Sequence, residues 1–186
     1  NSCGSRSIAY GNMVHNVLGI DAWLANGQIG QFANYANSSG VAKQLGDYVK
    51  NLAHTLQAEI EERFPKVLRR VAGYNLDIFN PQSELPYTQD GSVNLAHLLV
   101  GSEGTLGIVT KIVLRLIPHP KFDLLMLAPF DSLEKASEAV SAIFRAGITP
   151  SAMELMEIES IKLASKMCES TAIAITEDLA AHLIIE

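Results

Sequence analysis

The stretch VGSEGTLGIVTKIVLRLIP, from Val100 to Pro118, joins a permissive backbone directly to a stiff one. Its glycines, Gly101, Gly104 and Gly107, have the spacing G-x-x-G-x-x-G. Glycine allows a backbone to take a positive φ or to approach a ligand closely. The run from Ile108 to Ile117 is rich in β-branched residues, so it predicts a strand that is buried on at least one face.

The glycine spacing leaves two interpretations open. It is neither a Walker loop nor a dinucleotide fingerprint, because it lacks G-x-G-x-x-G and no Gly-Lys-Ser/Thr follows. In one interpretation the loop brings backbone N–H groups and the hydroxyls of Ser102 and Thr105 to a ligand. In the other it is a bulged connection between a helix and a strand.

The segments before these glycines predict a hairpin, a long amphipathic helix, a long loop and a short helix. An Asn-Gly pair is a strong signal for a two-residue hairpin turn. Apolar residues at steps of three or four predict the long helix, and a proline ends it. In chain order these elements are a strand at 16–25, the turn Asn26-Gly27, a strand at 28–32, the helix from Gly40 to Phe64, the loop at 66–91 and the helix at 92–99.

Beyond Pro118 and Pro120, the order strand–helix–strand–helix–strand predicts the start of an α+β sandwich. The first helix begins with a capping-box pattern at Asp131–Glu134 and ends at Gly147. The strands are expected at 122–129, at 151–156 and from Leu183, and the second helix at 159–167. The sequence therefore predicts two domains, residues 1–119 and residues 120–186.

Composition and charge exclude several classes of function. The net charge of −6 and the scattered Lys and Arg residues argue against a nucleic-acid partner. No apolar run reaches the length of about 20 residues that a membrane-spanning helix needs. The two cysteines do not form a disulfide framework, which favours a cytoplasmic location. The five histidines show no metal-ligand spacing, so we expect no metal site in this chain.

Two further polar stretches are candidate binding segments. The first runs from Asn1 to Arg6, and its Cys3 is more typical of a buried structural thiol than of a nucleophile. The second, Arg69–Asp77, places paired arginines before Gly-Tyr-Asn. Such arginines bind either a carboxylate or a cofactor phosphate, but the same pattern is also typical of a solvated helix end.

Together these stretches resemble one family of flavoproteins. The segments R-R-V-A-G-Y-N-L-D and N-L-A-H-L-L-V-G-S-E-G-T-L-G-I-V-T look like those of the vanillyl-alcohol-oxidase-type flavoproteins. Within that family the chain resembles the FAD-linked 2-hydroxy-acid dehydrogenases, including D-lactate and D-2-hydroxyglutarate dehydrogenase and the glycolate oxidase D subunit. The resemblance implies the second half of a PCMH-type FAD-binding domain, followed by the start of a ferredoxin-like α+β cap domain that covers the substrate.

The resemblance also implies roles for particular residues. The glycine loop would lie against FAD, with Ile108 and Val109 following at the flavin edge. A second group near the flavin would contact the substrate. The cofactor candidates are Ser2, Cys3, Gly4, Gly101, Ser102, Glu103, Gly104, Thr105, Leu106, Gly107 and Ile108, and the substrate candidates are Arg70, Tyr74 and Asn75.

The activity that the resemblance implies is oxidation of a D-2-hydroxy acid to the 2-oxo acid by hydride transfer to flavin. The hydroxy-acid substrate is a small molecule, the electron acceptor is not identified, and no residue is singled out as a catalytic base. An iron–sulfur cluster elsewhere in the whole protein fits the relatives with an Arg-Arg motif, and peripheral attachment to a membrane is the alternative location. Two alternatives stay open: a flavin-dependent transferase of the alkyl-dihydroxyacetonephosphate synthase type, and a folded module without activity of its own.

Overall fold

The computed structural model divides the chain into two compact units. Unit 1 contains Gly11–Pro118, and unit 2 contains Gly4–Tyr10 and His119–Glu186. Helices and antiparallel sheets occur in both, which confirms the predicted α+β class. The structure describes residues 4–67, 70, 73–80, 88, 90–167, 175–176 and 178–186.

Six α-helices and six strands are defined in the described residues. The helices are α1 (Ser7–Tyr10), α2 (Met13–Asn16), α3 (Gly40–Thr55), α4 (Gln57–Arg63), α5 (Leu133–Arg145) and α6 (Ile158–Met167). The strands are β1 (Val17–Trp23), β2 (Ile29–Phe32), β3 (Ile108–Leu114), β4 (Met126–Phe130), β5 (Met153–Glu157) and β6 (Ala181–Ile185). Short 3₁₀ turns lie at Tyr35–Asn37, Leu76–Phe79 and Leu95–Leu98.

Unit 1 is built on an antiparallel sheet in which β1 lies between β2 and β3. The buried residues of β1 and β2 pack against the 3₁₀ turn at Leu95–Leu98, where Leu95 is completely buried. Helix α3 approaches this turn through Gly46. A Cβ at that position would lie 3.0 Å from Leu95 Cδ1 and 3.2 Å from the ring of Tyr35, so glycine permits the close packing.

Asn94 connects this buried turn to the sheet. Its side-chain Nδ2 donates to the carbonyls of Val17 (3.0 Å) and Leu18 (3.2 Å), and its Oδ1 accepts from the backbone N–H of Ala96 (3.0 Å). The Val17 contact and the cap are both buried. One side chain therefore supplies partners to a strand and to the N-terminus of a 3₁₀ turn, which otherwise would bury unpaired polar groups.

The hairpin and the long helix form close to their predicted positions but differ in detail. Leu24 and Gln28 close a three-residue loop, in which only Gly27 has a positive φ (+80°). This is the geometry of a turn followed by a bulge residue, whereas the expected two-residue turn needs two positive φ values. The helix is interrupted at Leu56, whose φ of −98° and ψ of 17° separate α3 from α4.

Two predictions on the segment around the glycines are wrong. The expected helix at 92–99 is a single 3₁₀ turn at Leu95–Leu98, and it begins late because Asn94, and not Ser92, is its N-cap residue. Strand β3 ends at Leu114, and all of its residues are exposed, although burial on one face was expected. It is an edge strand, and the described residues of unit 1 cover the neighbouring β1 but leave β3 open.

Unit 2 contains a split β-α-β arrangement. Strands β4 and β5 both pair antiparallel with β6, which lies between them, and the order is β4-β6-β5. The two outer strands are therefore parallel to each other, and α5 connects them, as in half of a ferredoxin-like fold. Strand β4 begins at Met126, later than expected, and Phe122 is 91% exposed.

The cap of α5 differs from the expected capping box by one position. Ser132 is the N-cap residue, and its hydroxyl accepts from the backbone N–H of Lys135 at 3.2 Å. Asp131 instead pairs with the ammonium group of Lys135 at 2.6 Å. At the other end Gly147 takes a φ of +75° and stops the helix, as predicted.

Asn94→Ala should lower the free energy of unfolding by about 3 kcal/mol, because it removes a cap and the two hydrogen bonds to the Val17 and Leu18 carbonyls. Asn34 is a matched control, since it caps Ala36 in the same way (2.9 Å) but is exposed. Asn34→Ala should cost about 1 kcal/mol. Urea unfolding of both variants measures the difference, and equal costs would contradict the bridging role of Asn94.

The stability of unit 1 should also depend on pH through His97. Burial lowers the pKa of His97 to about 4, with a smaller lowering from His15, while a hydrogen bond with the Val17 backbone opposes the shift. The folded state thus holds His97 neutral, and stability is lost as pH falls below the unfolded pKa of about 6.5. Between pH 7 and pH 5 we expect a loss of about 2 kcal/mol from this group.

His97→Gln should remove that part of the pH dependence, which is measured by urea unfolding at several pH values. His54→Gln is the control, because His54 is exposed on α3 and its loss opens no core. If His97→Gln unfolds with the same pH dependence as the unchanged chain, the buried neutral histidine is not the cause.

Candidate functional site

The glycine loop from Gly101 to Gly107 exposes left-handed backbone. The φ angles are +89° at Gly101, +51° at Glu103 and +82° at Gly104. Among the described residues other than glycine, Glu103 alone has a positive φ. Such a conformation costs about 1–3 kcal/mol and is often found at functional sites.

Hydrogen bonds inside the loop hold this conformation. The Ser102 hydroxyl, which is buried, donates to the Leu99 carbonyl at 2.8 Å. The backbone N–H and the hydroxyl of Thr105 both donate to the Ser102 carbonyl, at 3.0 and 2.6 Å. Over the part of the chain that is described, the N–H groups of Glu103 and Gly104 have no such partner. These two N–H groups lie on exposed residues of the loop.

The two ends of the loop differ in the room they leave for a side chain. A Cβ on Gly104 would have no other atom within 4 Å, so the space beside it is open. A Cβ on Gly107 would lie 2.7 Å from the backbone oxygen of Trp23. Gly107 is thus required where the loop meets β1, whereas Gly104 faces free space.

The described residues of the second candidate segment contact this loop and the residue before it. The guanidinium Nη2 of Arg70 contacts Asp77 Oδ1 at 2.6 Å, and the side chains are only 12% and 8% exposed. The same nitrogen lies 3.3 Å from Asn75 Oδ1. Asn75 Nδ2 donates to the carbonyls of His97 (2.7 Å) and Val100 (2.9 Å). A solvated helix end is therefore wrong for Arg70.

Tyr74 contacts the loop directly. Its hydroxyl lies 2.8 Å from Thr105 Oγ1. The single hydroxyl hydrogen of Thr105 is directed at the Ser102 carbonyl, so Tyr74 is the donor in this pair. Tyr74 is 53% exposed, whereas Arg70, Asn75 and Asp77 are largely buried.

An apolar pocket of about 490 Å³ opens beside Tyr74 and the loop residue Leu106. Val41, Leu45 and Val49 of α3 form part of its wall. The other lining residues are Leu24, Ala25, Asn26, Phe32, Leu52, Leu76, Leu98 and Leu99. Its size and hydrocarbon lining suit a small apolar ring or chain better than a charged group.

The structure brings together most, but not all, of the predicted site residues. The loop residues 101–107, Arg70, Tyr74 and Asn75 form one connected region of unit 1, and Ile108 and Val109 continue it as exposed residues of β3. Gly4 belongs to unit 2, and Ser2 and Cys3 lie outside the described residues. The cofactor and substrate roles of all these residues stay predictions.

The sequence analysis missed Asp77 as the partner of Arg70. The two residues are seven positions apart, and Asp77 lies in the short 3₁₀ turn at Leu76–Phe79 rather than in a regular helix or strand that also contains Arg70. A charge pair of opposite sign on either side of Gly73 was the available signal. No three His, Cys, Asp or Glu side chains are grouped for a metal ion in the part that the structure describes.

None of the described helices has both the length and the apolar character to cross a membrane.

Comparison with known families gives a match in unit 2. Residues 119–186 match the family model of the FAD linked oxidases, C-terminal domain. This segment begins at the junction between the two units and contains β4, α5, β5, α6 and β6.

Comparison with curated proteins gives relatives of the same kind. The chain is 44% identical to the glycolate oxidase subunit GlcD of Escherichia coli (strain K12) over 71 residues, which are 38% of this chain and 14% of that protein. It is 28% identical to the D-lactate dehydrogenase of Archaeoglobus fulgidus over 167 residues, 90% of this chain and 26% of that protein. The chain is 29% identical to GlcD of Bacillus subtilis over 157 residues, which are 84% of this chain and 23% of that protein. The matches therefore span about a quarter or less of these relatives.

Gly107→Ala should lower the free energy of unfolding by about 2–3 kcal/mol, because the new methyl group overlaps the Trp23 backbone. Gly104→Ala is the control and should cost about 1 kcal/mol, since it adds strain at positive φ but no overlap. Unfolding is followed by the fluorescence of Trp23, the one tryptophan of the chain. A larger cost at Gly104 than at Gly107 would contradict this reading of the loop.

Proposed function

We propose that the chain, which belongs to the FAD-linked oxidases, supplies one wall of the flavin site in a protein that oxidises D-2-hydroxy acids to 2-oxo acids. Support comes from the match of residues 119–186 and from relatives named glycolate oxidase subunit and D-lactate dehydrogenase. The observation that carries the proposal is the exposed loop with left-handed backbone at Glu103 and Gly104.

The residues of this loop fit FAD. Open space lies beside Gly104, and a Cβ there would enter it. The N–H groups of Glu103 and Gly104 have no backbone acceptor among the described residues, so they can serve as donors for an oxygen- or nitrogen-rich ligand. Leu106 lines an apolar pocket and Ile108 is 72% exposed, so both offer surface to a flat ring. A group with polar edges and an apolar face matches that combination.

When bound, FAD supplies the redox chemistry by accepting a hydride equivalent from the substrate. The chain's own contribution is binding and exclusion of water. The backbone from Gly101 to Gly107 would hold the cofactor by hydrogen bonds, while Leu106 and Ile108 keep solvent from its apolar part. No side chain of the described residues is assigned the role of a base.

The finer parts of the proposal are the substrate, the location and the roles of the two domains. The substrate is a small 2-hydroxy acid of the lactate, glycolate or 2-hydroxyglutarate class. The relatives' names support the first two classes, and the third rests on the resemblance of the sequence motifs. A cytoplasmic location is proposed from the low cysteine content. The domain roles are also proposed: residues 1–119 in the FAD-binding domain and residues 120–186 in the cap over the substrate.

The test uses the whole protein, purified and scanned for flavin absorbance. Mixing without oxygen with D-lactate, glycolate or D-2-hydroxyglutarate should bleach the flavin with at least one acid, while L-lactate is the stereochemical control. Flavin that stays oxidised with all of them would contradict the dehydrogenase proposal. If the whole protein binds flavin and forms a product without any net reduction of the flavin, the result would favour the transferase alternative.

Gly104→Val should lower the flavin affinity of the whole protein by at least about tenfold, which corresponds to ~1.4 kcal/mol of lost contact. The branched side chain fills the space beside the loop. Gly91→Val is the matched control, because Gly91 also has a positive φ (+71°) and no atom within 4 Å of its Cβ position. Both variants carry similar strain, so equal flavin loss in both would contradict the loop assignment.

A further inference from the structure

We propose that Arg70, Tyr74, Asn75 and Asp77 act as a clamp that sets the conformation of the glycine loop for its ligand. They are positioning residues in this view, and not contacts for the substrate. The contacts of the clamp do not depend on which ligand binds, while the identity of the ligand rests on the proposed function.

The base of the clamp is the buried pair of Arg70 and Asp77. Their atoms lie 2.6 Å apart, and the guanidinium also lies over the ring of Phe64, 4.9 Å from its centre. Removing one partner of such a pair is strongly destabilising, because it leaves the other charge buried without compensation. A substrate carboxylate would have to compete with Asp77 inside the protein. The pair is therefore suited to hold structure and poorly suited to exchange ligands.

Asn75 connects the Arg70–Asp77 pair to the backbone just before the loop. Arg70 contacts its amide oxygen, which turns the amide nitrogen toward the carbonyls of His97 and Val100. Both hydrogens of the nitrogen are used in those two bonds. These carbonyls belong to the end of a 3₁₀ turn, where backbone groups lack regular partners. Asn75 thus fixes the chain immediately before Gly101.

Tyr74 holds the other end. Its hydroxyl donates to Thr105, and the Thr105 hydroxyl donates to the Ser102 carbonyl. This chain of hydrogen bonds crosses the part of the loop that contains Glu103 and Gly104. Strained backbone persists only where its surroundings fix it. With both ends held, the loop keeps its left-handed turn before a ligand arrives, which reduces the ordering cost of binding.

Tyr74→Phe in the whole protein tests the exposed tip, because it removes one hydroxyl from a half-exposed ring. Titration of the apoprotein with FAD should show an affinity about fivefold weaker, as expected for one hydrogen bond. The KM for the hydroxy acid at saturating FAD should stay within about twofold, since the ring face is retained. Tyr48→Phe, on an exposed tyrosine of α3, is the matched control and should change neither value.

Variants of Thr105 provide the second test of the clamp. Thr105→Val should weaken FAD binding, Thr105→Ser should retain it, and adding Tyr74→Phe to Thr105→Val should cause little further loss, because the two act through one hydrogen bond. Additive losses, a raised KM with unchanged FAD affinity, or unchanged affinity in Tyr74→Phe would each overturn the clamp.

Amide hydrogen exchange separates this inference from the proposed function. Without any cofactor, Tyr74→Phe should speed exchange at Thr105, whose N–H is bonded to Ser102, and Tyr48→Phe should not. If the unchanged whole protein binds no flavin, the proposed function fails. Faster exchange in Tyr74→Phe would still support the clamp, and unchanged exchange would overturn it.

Discussion

Unit 1 depends on two buried amide side chains that bind backbone carbonyls far away in sequence. Asn94 binds the carbonyls of Val17 and Leu18, and Asn75 binds those of His97 and Val100. A buried carbonyl without a partner costs about 1–3 kcal/mol, so irregular backbone is normally kept at the surface. Because these amides bind its carbonyls and those of β1, the segment between Asn94 and Gly101 can be buried although its backbone is irregular. The sheet and the glycine loop are connected through that segment.

This connection explains how a strained loop can be part of a stable unit. The residues before Gly101 are fixed by core packing, and Gly107 meets the backbone of Trp23 at the other side. Between these points Glu103 holds a positive φ that is unfavourable for a residue with a side chain. A free loop would relax from this state. The fixed ends keep Gly104 exposed with open space beside it, which is a preorganised arrangement for a ligand.

The sequence predicted what periodicity encodes and missed what long-range polar contacts encode. The strands β1 and β2 and the order of elements in unit 2 follow from local apolar patterns, and their positions agree with prediction within a few residues. The one helix predicted from Gly40 to Phe64 is instead two helices, α3 and α4, with a break at Leu56. The Asn75 contacts join residues 22 and 25 positions apart, which no local window detects. The burial of β3 was mispredicted because β-branched composition shows a strand but not its place at a sheet edge.

The exposure of β3 gains a meaning when it is considered with the loop that precedes it. Single exposed apolar residues are ordinary, but β3 exposes five of them within seven residues: Ile108, Val109, Ile112, Val113 and Leu114. Such a cluster is typical of a contact surface, and Leu106, just before the strand, lines the apolar pocket. The same stretch also carries the N–H groups of Glu103 and Gly104, which have no backbone acceptor among the described residues. On the proposed function, FAD needs both kinds of contact, since it combines a flat ring with hydrogen-bonding edges. One continuous stretch, from Gly101 through Ile108, then provides rigid donors and apolar surface together, and neither the glycines nor the strand would suffice alone.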